Sequence, residues 1–229
     1  MKKPLRILGL ETSGTVCGVA HLSLRKLPAT YTEALRDGTC VMQEHASEFS
    51  RHAEIMYHLL NRVFRLAHSR LDRVHVIAVS LGPGSFTGLR VGLAVAKMFA
   101  KFGGVPLVGV PTLEAQAAQA ALNGDSSRYL TTLDAKRGEV YAAMYRVTAK
   151  TLRRVKGPWV CDPVELAQQL DAGVRLASVL PRASTVAALG AMRFLRGHRD
   201  NPDRLVPLYV RRPAATEKLR KGLLKPQPR

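Results

Sequence analysis

The 229-residue chain carries 35 Lys and Arg against 17 Asp and Glu, a formal charge of +18 that attracts polyanions, with RNA the obvious cytosolic one. A composition of 46% hydrophobic and 23% charged residues excludes a largely disordered chain, and the length suits one large domain or two lobes whose core needs no disulfide or metal. Cys17, Cys40 and Cys161 stand apart without CxxC spacing, the apolar run from Val91 to Ala100 is too short for a membrane span, and Glu11 interrupts the apolar stretch behind Lys2, Lys3 and Arg6. A disulfide framework, a membrane helix and a signal sequence are therefore not expected, and the compartment is cytoplasmic.

Ile7 to Glu11 and Val16 to Leu24 are β-rich runs around a turn at Thr12, Ser13 and Gly14, followed by a polar stretch from Arg25 to Gly38 and a third strand at Thr39 to Gln43. From Ser50 to His68 the period changes to that of a helix, with Ile55, Leu59, Val63 and Leu66 in a stripe widened by Met56, Leu60 and Phe64, and Ser47 or Ser50 as cap. Val74 to Leu81 is a buried strand running into Gly82-Pro83-Gly84-Ser85-Phe86-Thr87-Gly88, which opens a second helix to about Phe102. Val105 to Val110 is a strand, Pro111 opens an alanine-rich helix to Leu122, and Tyr129 to Leu133 and Glu139 to Val147 flank a turn at Asp134 to Gly138. Pro163 to Leu170 and Ser184 to Leu195 have helical spacing, and the segment from Arg211 onward holds seven Lys or Arg against Glu217. Alternating strands and helices give an α/β fold, with Gly103-Gly104 as the natural hinge between two lobes.

The glycine-rich turn after residue 81 sits where backbone amides can hold a phosphate, yet Gly-Lys-Ser/Thr is absent, so a Walker A loop is excluded and a tight strand-to-helix turn is an equal reading. In the helix behind it, Gly88, Gly92, Ala96 and Ala100 leave one edge almost without side chains, whereas Val91, Val95, Met98 and Phe102 form a bulkier face. One face would serve the core and the other a partner, or both would be internal.

The run SLGPGSFTGLRVGLAVAKMFA at Ser80 to Ala100 resembles the TsaB family, the bacterial subunits of the machinery that installs threonylcarbamoyladenosine on tRNA. ILGLETSG near the start, LDAKRGEVYAAMYR at Leu133 to Arg146 and PLYVRRP at Pro207 to Pro213 agree, in order along nearly the whole chain. The resemblance implies an α/β fold of the actin-like and sugar-kinase-like (ASKHA, ribonuclease H-like) class. Its divisions would be an N-terminal Gcp-like lobe over 1–104, a C-terminal lobe over 105–212 whose last helix returns to the first, and a basic tail over 213–229.

The resemblance further implies a non-catalytic subunit that binds and activates a catalytic paralogue, TsaD, and through it meets the ATPase subunit TsaE. Without that partner the same surface would pair with itself as a homodimer. Helix residues Arg51, Ile55, Met56, Leu59, Leu60 and Val63, with Gly88, Gly92, Ala96 and Ala100, are the expected interface. In the superfamily the first strand-turn-strand approaches nucleotide phosphate, which makes Glu11, Thr12, Ser13, Gly82, Gly84, Ser85 and Thr87 candidates for ATP or ADP; no cofactor is required. Arg211, Arg212, Lys218, Arg220 and Lys221 are candidate tRNA contacts.

The catalytic paralogue holds a metal with His-x-x-x-His, but no two of the seven histidines here stand four apart, and Thr112 and Gln116 occupy the corresponding place, so no metal is expected. No Gly-x-Ser-x-Gly elbow supports a protease, and Asp134, Arg137 and Glu139 suit a solvated hairpin tip better than acid-base work. A nucleotide-dependent ATPase or kinase and a stand-alone tRNA-binding module remain alternatives.

Overall fold

The computed structural model describes residues 3–46, 52–122, 127–148 and 151–211. Its first sheet has five strands, β1 (Leu5–Glu11), β2 (Val16–Leu24), β3 (Thr39–Ala46), β4 (Val76–Ser80) and β5 (Leu107–Val110), in the order β3-β2-β1-β4-β5. The first three form an antiparallel meander, and β4 and β5 run parallel to β1. The second sheet has four, β6 (Ser127–Lys136), β7 (Glu139–Val147), β8 (Leu152–Cys161) and β9 (Val174–Ala177), in the order β8-β7-β6-β9. It repeats the first in strand order and sense, a meander whose first strand pairs in parallel with the fourth. The two halves are thus alike in topology although no repeat shows in their residues.

Parallel strands joined by helices must bury both faces, which is why β1 and β4 are apolar almost without alternation. Ile7, Leu22, Val76 and Ala78 point to one side of the first sheet, where α1 (Tyr31–Asp37) and α6 (Ala183–Leu195) cover them. Leu8, Leu10, Val19, Ile77 and Val79 point to the other, under α2 (His52–Leu66) and α3 (Phe86–Gly103). Helix α4 (Thr112–Ala120) lies between the lobes, with Ala115 and Ala118 in the first core and Leu113 and Ala117 in the second. The short α5 (Pro163–Ala167), capped by Asp162, leans on the outer face of the second sheet near Leu130 and Trp159.

Three elements differ from expectation. The polar stretch after Arg25 contains α1, started by Thr30, whose hydroxyl accepts from the Glu33 amide; it buries only Tyr31 and Ala34, too few positions to set a period. The basic run after residue 150 is strand β8, an edge strand whose exposed Arg153, Arg154 and Lys156 hide its pattern. The sheet of the first lobe does not stop at Gly104, since β5 completes it.

Candidate functional site

Two regions concentrate the residues singled out above. The first is the cleft between the lobes. Strand β1 ends at Glu11 and turns at Ser13 and Gly14, while β4 ends at Ser80 and turns through Gly82 and cis Pro83 into α3. Backbone bonds stitch the turns together: the Ser85 amide donates to the Ser13 carbonyl at 2.7 Å, and the Thr12 amide to Ser80 Oγ at 3.3 Å. Ser85 caps α3 by accepting from the Gly88 amide at 3.1 Å. The opening, about 470 Å³, is lined by Ser13, Gly14, Thr15, Gly84 and Ser85 on one side and by Asp134, Lys136, Tyr141 and Leu180 on the other.

Of the seven phosphate candidates, Ser13, Gly84 and Ser85 reach this cleft. Glu11 and Thr12 lie buried. Gly82 is buried too, its amide donating to Thr112 Oγ1 at 3.0 Å, and Thr87 is exposed without lining the cleft. Glu11 Oε1 accepts from the Ser13 amide at 2.6 Å and from its hydroxyl at 2.5 Å, whereas Oε2 has no partner among the described residues. Burial outweighs these bonds and pushes the Glu11 carboxyl up to about 7, so near neutral pH it is a mixture of acid and carboxylate. Lys136, missed in the sequence, arrives from the hairpin of β6 and β7, whose two-residue turn Arg137-Gly138 holds φ of 61° and 75°.

The hairpin acids are already engaged. Asp134 accepts from the Lys136 amide and ammonium, both at 2.7 Å, which holds its carboxyl below the usual range. Glu139 pairs with Arg211, which also donates to the Ala135 carbonyl at 3.2 Å. Arg211, a candidate tRNA contact, is therefore a tie between the last described segment and the hairpin; Arg212, Lys218, Arg220 and Lys221 lie outside the described residues. Thr112 and Gln116 are buried one turn apart on α4. Besides accepting from Gly82, Thr112 sends its amide to the Gly82 carbonyl, and Gln116 Nε2 donates to the carbonyls of Thr132 at 2.7 Å and Val179 at 2.8 Å. Thr112 thus ties α4 to the Gly82 turn and Gln116 ties it to β6 and the segment after β9, while Gln116 Oε1 is buried without a partner among the described residues.

The second region is the outer side of α2 and α3, which carries part of the expected interface, since Met56 and Leu60 line a groove there while the small residues of α3 turn inward. Ile55, Met56, Leu59, Leu60 and Val63 are buried in the chain's own core, and so are Gly88, Gly92, Ala96 and Ala100. The small edge of α3 faces inward because the helix crosses the β1 turn, where a Cβ on Gly92 would stand 2.3 Å from Thr12 Oγ1. The bulkier face is the one left outside: Met98 is 47% and Phe102 88% exposed, beside Tyr57 of α2 at 65%. Between the helices runs an apolar groove of about 490 Å³, formed by Met56, Tyr57, Leu60, Phe64, Val95, Met98 and Phe99. Arg51 and the expected caps Ser47 and Ser50 lie outside the described residues.

The family model of TsaD, tRNA N6-adenosine threonylcarbamoyltransferase, matches residues 41–184, more than half of the chain. The Bacillus subtilis tRNA threonylcarbamoyladenosine biosynthesis protein TsaB is 30% identical over 172 residues, 73% of this chain and 68% of that one. The chain belongs to the TsaB family. Escherichia coli TsaB is 25% identical over 242 residues, 94% of this chain and 98% of its own. Among solved structures, YeaZ from Pseudomonas aeruginosa superimposes with a TM-score of 0.75 at 22% identity, over 90% of this chain and 99% of that one. The TsaB-family chain thus has an α/β fold of two mixed sheets with helices, shared with that structure. No helix among the described residues is long and apolar enough to cross a membrane.

Proposed function

We propose that the protein is a cytoplasmic, non-catalytic subunit acting in tRNA threonylcarbamoyladenosine biosynthesis, the process for which its Escherichia coli and Bacillus subtilis relatives are named. Its role is to bind a TsaD-type catalytic paralogue, which in turn engages the ATPase subunit TsaE. The observation that carries this reading is the groove between α2 and α3, rimmed by the exposed Tyr57 and Met98, an apolar surface on an otherwise strongly basic chain. Two matching helices laid against it would form a four-helix interface, with aromatic and methionine side chains filling the seam. Activation then needs only that the paralogue's productive conformation bind this face better than its idle one.

Met98→Asp tests it. Because Met98 is already half in solvent, its circular dichroism should remain native, while affinity for the catalytic paralogue should fall about a hundredfold in a titration, and tRNA modification with it. Undiminished association would show that another surface docks.

A nucleotide-binding ATPase is the second reading, supported by the gathering of Ser13, Ser85, Lys136 and the start of α3 around the cleft. Magnesium-dependent ATP binding by the isolated chain, with turnover lost in Lys136→Ala, would favour it; calorimetry without heat would dismiss it.

A further inference from the structure

The second sheet carries a feature that neither partner docking nor the cleft uses. Arg128 on β6 stands opposite Arg146 on β7, and Arg146 stands opposite Arg153 on β8. Opposed residues share a face, so three guanidinium groups form a row across three neighbouring strands. The face is the outer one, since Tyr129, Tyr145 and Val147, adjacent in sequence, point into the core under α4. Strands lie about 4.8 Å apart, so the row spans roughly 10 Å. Arg128 pairs with Asp171 at 2.8 Å, while Arg146 and Arg153 are exposed and have no acidic partner among the described residues. Lys156, opposite Met144 on the same side, lies over the Trp159 ring and donates to Gln169.

Like charges set directly opposite each other weaken a sheet. Protection of an exposed edge explains Arg153 and Lys156 on the outermost strand, but not Arg146, whose strand is hydrogen-bonded on both sides. A ligand that profits from the arrangement is one with several negative charges a few ångströms apart, and a chain of net charge +18 already draws such ligands in. An acidic protein partner would need an apolar centre to its interface, whereas here the centre of the row is Arg146 itself. The Trp159 ring is covered by Lys156, so base stacking is not offered, and contact would be with phosphates, independent of sequence.

We propose that the outer face of the second sheet, around Arg128, Arg146 and Arg153, holds the phosphate backbone of RNA. This site is on the second sheet, whereas the α2–α3 groove belongs to the first, and it does not depend on partner docking.

The test uses the full chain and an unmodified transfer RNA in filter binding across a salt series. Arg146→Gln with Arg153→Gln is compared with Arg25→Gln and Lys26→Gln, an equal loss of charge on exposed residues of the first lobe. The sheet double variant should lose about tenfold in affinity, and its slope of log affinity against log salt should flatten by about 1.5 to 2, whereas the control should change less than twofold. Equal losses in the two variants would reduce the effect to overall charge and overturn the site, as would no loss in either. Anionic phospholipid vesicles form a further arm: capture of the wild-type chain by vesicles but not by transfer RNA, abolished in the sheet variant, would assign the row to a membrane surface and overturn the RNA proposal. Thermal unfolding of the sheet variant should not fall, since an opposed like-charge pair has been removed.

Discussion

At the scale of single residues, Glu11 carries the clearest prediction. Its carboxyl is 2% exposed and raised from 4.5 to about 7 by burial, so the folded state binds a proton that the unfolded state has released. Stability from this group is complete below about pH 4.5, falls as pH rises, and levels off above about 7; the 2.5-unit span corresponds to roughly 3 kcal/mol. Glu11→Gln cannot ionise and keeps an oxygen for both Ser13 donors. Urea unfolding at pH 5 and pH 8 should show the wild type losing about 2–3 kcal/mol more than the variant between the two, and equal losses would place the carboxylate in a wetter or better-bonded site than it occupies here. The sequence marks Glu11 as the acid at a strand end facing a turn. Its burial was not legible, because it depends on the turn at Gly84 and Ser85 closing over Ser13, some 70 residues away along the chain.

At the scale of elements, periodicity located α2 and α3 but left open which side of α3 is the inner one. Both faces of that helix are apolar, and hydropathy distinguishes polar from apolar, not thin from thick. The deciding constraint is tertiary: α3 approaches the β1 turn so closely that only hydrogen fits at position 92. Gly92→Ala should therefore lose about 1–3 kcal/mol in chemical denaturation despite the better helix propensity of alanine, because the helix must lift from Thr12 or Thr12 must move. Ala94→Leu, on the exposed side of the same helix, should change stability by less than about 0.5 kcal/mol. If the two variants behaved alike, the inward placement of the small edge would be wrong. The same limit on pattern reading accounts for β8, where Arg153, Arg154 and Lys156 present a charged run to sequence inspection although the backbone is a regular edge strand. The strands β1, β2 and β4, buried on both faces, were legible because burial leaves them no choice but to be apolar.

At the scale of the whole molecule, the lobes are not independent beads. Helix α6 is made by the last part of the chain but lies on the first sheet, where Val186, Ala187 and Leu189 meet Ile7, Leu22 and Val76. Its seat is close: a Cβ on Gly190 would come 2.2 Å from Cβ of Ala78 on β4. The segment after α6 continues the tie, with the Leu208 amide donating to the Leu81 carbonyl, Tyr209 packing on Phe86 and Arg211 pairing with Glu139 across the cleft. A chain cut after residue 122 keeps all five strands of the first sheet yet leaves one face, with Ile7, Leu22, Val76 and Val108, without α6. Each of those side chains is worth roughly 1.5–3 kcal/mol when buried, so together they match the whole stability of a small domain. The fragment should lack a cooperative thermal transition and should bind a hydrophobic dye, whereas Gly190→Val in the full chain should fold with its midpoint lowered by several degrees because α6 can shift without leaving. A cooperative transition in the fragment would mean that α2 and α3 alone suffice to hold the sheet, and that α6 serves the second lobe rather than the first.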